Sequence, residues 1–306
     1  MLTIKEHVQI APLTTFGIGG PARYFVDVRT EDEIRAALAW ARERGLRFVV
    51  LAGKSNVLVP DEGLDALVIN ITSNSFSFSG TQLSADAGCN LLTLVREATK
   101  RGLGGWEKLA GIPGTMGGAV RGNAGAFGPE IKDFVISVRA LSSQSGEYRD
   151  FVNRDIGFAY RDSFFKRDPQ WIITRVRVKL AKADPAASVR FTEETIAERE
   201  RRHIQNVRAA GSFFVNPVVP RAIQELFERE KGAPAREGRV PAGWLIEKVG
   251  LKGARVGDAV ASGQHPNYLK NDGKASAKDV LALAQKIKDA VRKQFGIELQ
   301  EEAVVL

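Results

Sequence analysis

The chain has 306 residues, 44% of them hydrophobic and 26% charged, the profile of a globular protein long enough for two or three domains. Its formal net charge of +8 favours anionic partners, and apolar runs such as Phe48–Ala52 fall far short of the roughly 18 residues a membrane span needs. A single cysteine, Cys89, excludes an internal disulfide and a cysteine-based zinc site, and MLTIKEHVQIAPL carries no secretory pattern, so a reducing, cytoplasmic location is expected.

From the N-terminus, Gly17-Ile-Gly19-Gly20 has the look of a dinucleotide fingerprint but precedes its strand, where such a fingerprint should follow one. Ala22–Val28 alternates as a strand does. Thr30-Glu-Asp-Glu33 is a capping box for a helix whose buried stripe is Ile34, Ala37, Leu38 and Ala41, ended by Gly45. Phe48–Ala52 then reads as a buried strand running into Gly53-Lys54-Ser55-Asn56. This is a β-α-β unit with a small-residue loop at a strand end, where α/β sheets often hold ligands. The Gly-Lys-Ser is not a P-loop, because Phe48 occupies the place of the earlier glycine.

Leu67–Ile71 and Gln82–Ala87 are expected strands, and Asn90 caps a helix ending near Lys100. Phe134–Leu141 and Trp171–Leu180 alternate cleanly, with a Ser/Gly turn at Ser142–Gly146 after the first. Lys182–Ser188 is an expected linker. Helices follow from Thr192, over Pro220–Glu230, and over Pro241–Val249 with proline at the first helical position. The last begins at a Ser276-Ala-Lys-Asp279 cap, buries Val280, Leu283, Ala284, Ile287 and Val291, and closes at Gly296. The fold class is therefore α+β, with a pair of N-terminal ligand-binding units and a C-terminal domain after about residue 190.

The stretch Gly111–Gly128, GIPGTMGGAVRGNAGAFG, holds seven glycines in eighteen residues. Ile112, Met116, Val120 and Phe127 are interleaved through it, which a flexible linker would lack. It suits either close approach of a bulky ligand with bare N–H groups turned towards phosphates, or a set of tight turns. No histidine pair or carboxylate cluster suggests a metal, since His7, His203 and His265 are far apart. The cluster Arg199–Arg208 mixes signs, as a solvated helix face does, so nucleic acid is not an expected partner. Three polar segments remain: Tyr160-Arg161-Asp162-Ser163, Gly211-Ser212 ahead of Phe213 and Asn216, and Glu301-Glu302 before an apolar terminal strand. Each alone is equally a surface ion pair, a turn serine or an edge-strand acid.

In this order, however, TTFGIGGPA, LAGKSNVLV, GWEKLAGIPGTMGGAVRGNAGAFG, YRDS, AGSFFVNP, AGWLIEKVGLKG and FGIELQEEAVV resemble the UDP-N-acetylenolpyruvoylglucosamine reductase family of bacterial cell-wall synthesis, in its compact subtype. The resemblance spans nearly the whole chain. It implies a two-part FAD-binding region of the vanillyl-alcohol-oxidase type over residues 1–68 and 69–190. A substrate-binding domain would cover 191–306, its C-terminal tail returning to the flavin site. FAD would be noncovalent and NADPH a co-substrate. Gly53, Lys54, Ser55 and Asn56, with Gly111, Gly114, Thr115 and Gly118, would hold the pyrophosphate, and Asn123, Gly125 and Ala126 would lie along the flavin.

The implied reaction passes hydride from the flavin to the β-carbon of UDP-N-acetylglucosamine enolpyruvate and a proton to its α-carbon, giving UDP-N-acetylmuramate. By the same resemblance Arg161 partners the carboxylate, Ser212 donates the proton and Glu302 assists, by holding Arg161 or by donating a hydrogen bond. Asn216, Lys252 and Tyr160 are substrate-binding candidates, whereas Gln205, His265 and Asn267 lie in matching segments without an assigned role. Val215 stands where the family commonly has lysine, and Ala303-Val304 where it has Val-Arg, departures that bear on affinity more than on reaction type. No membrane or metal is expected, and a monomer is the expected state. The competing readings are an alcohol or sugar oxidase of the same flavin fold and a basic nucleic-acid-binding protein, which would be colourless.

Overall fold

The structure, a computed structural model, describes residues 2–126, 128–201 and 207–306. Phe127 of the glycine stretch, and His203, Gln205 and Asn206 of the basic cluster, lie outside the described residues. The first part of the chain supplies β1 (Lys5–Gln9), β2 (Pro21–Val28), α1 (Glu31–Glu43), β3 (Phe48–Leu51), β4 (Val57–Leu58) and β5 (Leu64–Ile71). The middle supplies β6 (Phe76–Ser79), β7 (Gln82–Asp86), α2 (Leu91–Lys100), β8 (Leu103–Gly104), α3 (Met116–Arg121), β9 (Val135–Ser142), β10 (Tyr148–Val152), α4 (Asn153–Ile156), α5 (Phe164–Arg167), β11 (Trp171–Lys179), β12 (Ala181–Lys182) and α6 (Pro185–Arg201). The last part supplies α7 (Arg221–Lys231), α8 (Ala242–Lys248), β13 (Arg255–Val256), β14 (Ala259–Ala261), β15 (Leu269–Asn271), α9 (Ala277–Phe295) and β16 (Val304–Val305).

These elements form two units. The first comprises residues 1–8, 22–54 and 64–205, and the second 9–21, 55–63 and 206–306. In the first, β1-β2-β5-β3 make one sheet, with β2 and β3 both parallel to the central β5. Burial on both faces explains why β5 reads as the near-continuous apolar run LDALVINI. A second, antiparallel sheet runs β10-β9-β11-β7-β6. In β11 the alternation places Arg175, Arg177 and Lys179 outward and Val176 and Val178 in the core. One apolar core joins these sheets to α1, α2 and the fully buried Trp106.

In the second unit α9 packs Val280, Leu283, Ala284, Ile287 and Val291 against Trp244, Leu245, Phe213 and Phe214. The long gap in sequence between these groups is bridged by two segments from the N-terminal third. Phe16, Ile18 and Leu58 enter this core, and Asp61 accepts from the first two backbone N–H groups of α9, at 2.7 and 3.2 Å.

Several expectations are corrected. Lys182–Ser188 is no linker: α6 already starts at Pro185 and packs on α2, so the expected boundary at 190 falls inside a helix of the first unit. The first sheet keeps β5 to Ile71, past the expected division at 68. At α1 the Thr30 side chain accepts from Glu33 N at 3.1 Å, but the Glu33 carboxylate accepts from Arg29 N, one residue before the cap. Pro241 is the N-cap residue of α8 and not its first helical position. The full capping box expected at Ser276 and Asp279 is present.

Candidate active site

Glycine lets two loops of the first unit touch through their main chains. A Cβ on Gly53 would lie 2.7 Å from Gly114 Cα, closer than side chains allow, and a tight 3.2 Å from Thr115 N. Gly114 itself has φ +124, which L side chains rarely adopt. The Gly53 loop and the Gly111–Gly118 turn therefore meet backbone to backbone at Gly53 and Gly114. The Thr115 side chain caps α3, and Met116 N and Gly117 N are already bonded to Cys89 O and Ala87 O at 2.9 and 2.8 Å.

Lys54 is held away from a simple ligand role. Its ammonium donates to Ala52 O and Asn70 Oδ1, both at 2.6 Å, and Asn70 Nδ2 donates to Asp27 Oδ1 at 2.7 Å. Burial pushes the Lys54 ammonium down, with the Asp27 charge opposing. The residue sits at φ +50, so this network holds a strained turn as well as a charge.

Asn123 follows the same pattern. It is fully buried at φ +43, and its Nδ2 donates to Glu130 Oε2 at 3.0 Å and Ala159 O at 2.8 Å, while its Oδ1 accepts from Lys132 N at 3.3 Å. Its side chain thus braces the bend; the expected position along a flavin is left to the backbone of Gly125 and Ala126. Gly125 packs against Glu130, with 2.7 Å between a would-be Cβ and Glu130 Cγ.

Arg161 belongs to this cluster. It sits at φ +56 in a tight turn closed by the mutual Ala159–Asp162 backbone bonds, both 3.1 Å. Its Nη2 donates to Gly125 O at 2.9 Å, its Nη1 lies 3.9 Å from Glu130 Oε1, and its guanidinium stacks 4.9 Å from the Tyr160 ring centroid. Glu130 also pairs with Lys132. Five described non-glycine residues have left-handed backbones, and Lys54, Asn123 and Arg161 are three of them. Strain of this kind collects where geometry serves function. Burial also pushes the nearby Arg121 guanidinium down, offset by Asp162, so a partly desolvated cation stands on α3 itself.

In the second unit the backbone of Phe213 joins Ser212 to Glu302. Glu302 N donates to Phe213 O at 2.8 Å, Val215 N donates to Gln300 O at 2.9 Å, and Phe214 bridges Glu301. The Glu302 carbonyl accepts from Asn56 Nδ2 at 3.1 Å, and Val304 N donates to Asn56 O at 3.0 Å as β16 pairs in parallel with β4. The tail thus returns to the Ser55-Asn56 half of the small-residue loop, bringing Asn56, Ser212 and Glu302 into one backbone network. Ser212 is half-buried, and its hydroxyl makes no hydrogen bond among the described residues.

The expected substrate contacts fare differently. Asn216 Oδ1 accepts from Ala242 N at 3.0 Å and so caps α8, while its amide N–H groups face no such demand. Lys252 is exposed and pairs with Glu247 at 3.1 Å. Among the described residues no His, Cys, Asp and Glu group could hold a metal, and no helix is long and apolar enough to cross a membrane. Sequence reasoning missed Asn70, whose partners Asp27 and Lys54 are distant in the chain, and Glu130, although Glu130 beside Gly128-Pro129 marks a turn next to the glycine stretch.

A family model described as FAD binding domain matches residues 22–151, and one described as UDP-N-acetylenolpyruvoylglucosamine reductase, C-terminal domain, matches residues 202–306. The protein of that name from Solibacter usitatus is 36% identical over 301 residues, covering 98% of this chain and 96% of the relative. The one from Pseudomonas aeruginosa is 37% identical over 334 residues, covering 98% of each. The crystal structure of the reductase from Thermus caldophilus superposes with a TM-score of 0.78 at 33% identity, over 100% of this chain and 98% of that one.

Proposed function

Since the chain belongs to the UDP-N-acetylenolpyruvoylglucosamine reductase family and is an FAD-binding oxidoreductase, we propose that it reduces UDP-N-acetylglucosamine enolpyruvate to UDP-N-acetylmuramate with NADPH, as a step of peptidoglycan precursor synthesis. The observation that carries this reading is the backbone junction at Phe213, which ties Ser212 to Glu302, whose carbonyl in turn accepts from Asn56.

The residues fit FAD. At the Gly53–Gly114 contact a Cβ would collide with main chain, so the two backbones meet without side chains between them, suited to a pyrophosphate seen by main-chain N–H groups such as those of Gly53, Lys54, Gly114 and Thr115. FAD held there would supply hydride-transfer chemistry between NADPH and the β-carbon of the enolpyruvyl group. Noncovalent attachment agrees with Cys89, whose thiol is buried and donates inward to Ser75 O at 3.3 Å.

Hydride arrival leaves negative charge at the α-carbon, which spreads into the adjacent carboxylate. Arg161 meets that charge with a permanent cation, pre-set by Gly125, Glu130 and the Tyr160 ring. Ser212 gives its proton to the α-carbon. A hydroxyl is a weak acid, but the developing enediolate is basic enough to take the proton once water is excluded. Glu302, fixed through its own N–H and C=O, assists either by steadying Arg161 or, protonated, by donating a hydrogen bond. Asn216 and Tyr160 offer amide N–H and phenol groups to the substrate, and Lys252 an exposed cation.

Ser212→Ala tests this assignment. Reduction of the flavin by NADPH should stay at the parental rate, and reoxidation by the enolpyruvyl nucleotide should slow by several decades in stopped flow. Reoxidation at the parental rate would remove Ser212 from the chemistry.

A further inference from the structure

The position of a serine hydroxyl is set by its backbone and one torsion unless a partner holds it. Here no described residue bonds the Ser212 hydroxyl, and the residue before it is Gly211, at φ +75 with open space around it. On that side the buried, bonded segment Ala209–Ala210 is separated from the serine by this left-handed glycine, which has no side chain to pack. The C-terminal side fixes the serine through Phe213 and Phe214, which are 1% and 0% exposed.

One edge of this Phe-Phe segment is the tail already described, with Glu302 N on Phe213 O. The other edge is a single residue, Asn267, itself 2% exposed. Its main-chain oxygen accepts from Phe213 N at 2.7 Å. Its side-chain Oδ1 accepts from Phe214 N at 2.9 Å, and its Nδ2 donates to Phe214 O at 2.8 Å. An amide of this length is required for that clamp. Aspartate accepts but cannot donate when ionised, leucine does neither, and glutamine is one methylene too long.

We infer that Asn267 is a positioning residue for proton donation by Ser212: its side-chain amide clamps the Phe214 backbone and thereby fixes where the Ser212 hydroxyl stands. The inference rests on the reading of Ser212 as the proton donor. It predicts a defect confined to the half-reaction that consumes that proton, because a displacement of about 1 Å away from the chemistry can cost roughly 100-fold.

The test compares Asn267→Ala, Asn267→Asp, Ser212→Ala and the double variant Asn267→Ala/Ser212→Ala as FAD-loaded proteins, with the two half-reactions followed separately by flavin absorbance. Asn267→Ala should be reduced by NADPH at close to the parental rate and reoxidised by the enolpyruvyl nucleotide about 10- to 100-fold more slowly. The double variant should be no slower than Ser212→Ala alone. Asn267→Asp adds a pH signature. Ionised, it sets an anionic oxygen against Phe214 O; protonated, it regains both halves of the clamp, so its reoxidation should recover towards the parental rate as pH falls.

If Asn267→Ala reoxidises at the parental rate while Ser212→Ala is slowed, the positioning role is wrong and the Ser212 assignment stands. If Ser212→Ala is itself unimpaired, the assignment fails and takes the inference with it. Should Asn267→Ala fail to fold, the Asn267→Asp profile decides: a rate that does not rise as pH falls overturns the inference.

Discussion

At the scale of single residues, the site is built from side chains that serve their neighbours' backbones. Lys54 shows the trade. Its ammonium secures Ala52, Asn70 and, through Asn70, Asp27, at the expense of a left-handed backbone. Lys54→Ala should lower stability by about 2 kcal/mol, since a hydrogen bond to a charged group contributes about 1.5–3 kcal/mol. Lys54→Gly loses the same bonds but relaxes the backbone, so urea unfolding should find it about 1 kcal/mol more stable than Lys54→Ala. The reverse order would mean that the turn is not strained.

Cys89 gives a pH prediction. Burial, aided by the Asp86 charge, raises its thiol from 9.0 to about 11. The unfolded chain therefore loses that proton first, and the stability the neutral thiol contributes, fully present below pH 9, is lost as pH rises from about 9 to about 11. The loss should be of order 1–3 kcal/mol. Denaturant titrations at several pH values should show it in the parent, whereas Cys89→Ala, less stable at neutral pH for want of the sulfur, should lack that decline.

At the scale of elements, glycine contacts and helix caps decide the geometry. Gly53→Ala places a methyl 2.7 Å from Gly114 Cα, where backbone must move. Prying these loops apart costs about 1–3 kcal/mol. FAD affinity measured by flavin fluorescence should fall about tenfold or more, as 1.4 kcal/mol per decade requires. At α9, Asp61 satisfies the N–H groups of Ala277 and Lys278, and Ser276 that of Asp279. Asp61→Ala should lower thermal stability by about 1–2 kcal/mol. A change below the scatter of a melting experiment would show that water replaces the carboxylate.

The sequence was clear about such local signals. The caps at Thr30, Asn90 and Ser276 and the alternation of β11 stand where periodicity and capping residues put them. It misled at Lys182–Ser188, because a proline at the start of a helix and one in a linker look alike until α2 supplies a packing surface.

At the scale of the whole molecule, the chain is interleaved rather than consecutive. Residues 9–21 and 55–63 leave the first third to complete the second unit. A consecutive division at 68 and 190 could not anticipate this, because the signals at issue are contacts such as Asp61 with α9 and Val57 with Val304, separated by more than two hundred positions. The backbone of the glycine loops was nonetheless legible, for a different reason. Gly53 and Gly114 carry backbone demands that restrict residue type, and such demands leave marks in the sequence, whereas Arg161 stands out by resemblance to the family's motif. Asn70 and Glu130 act on the side chains of Lys54 and Arg161, and Asn267 on the main chain of Phe214, partners that folding brings near and that nothing beside them in the sequence announces.

The most direct test is anaerobic. Purified protein loaded with FAD should show flavin absorbance that NADPH bleaches and that UDP-N-acetylglucosamine enolpyruvate then restores, one equivalent of UDP-N-acetylmuramate appearing for each flavin reoxidised. A protein that takes up no FAD, or whose bleached flavin stays bleached on addition of the enolpyruvyl nucleotide, would contradict the account.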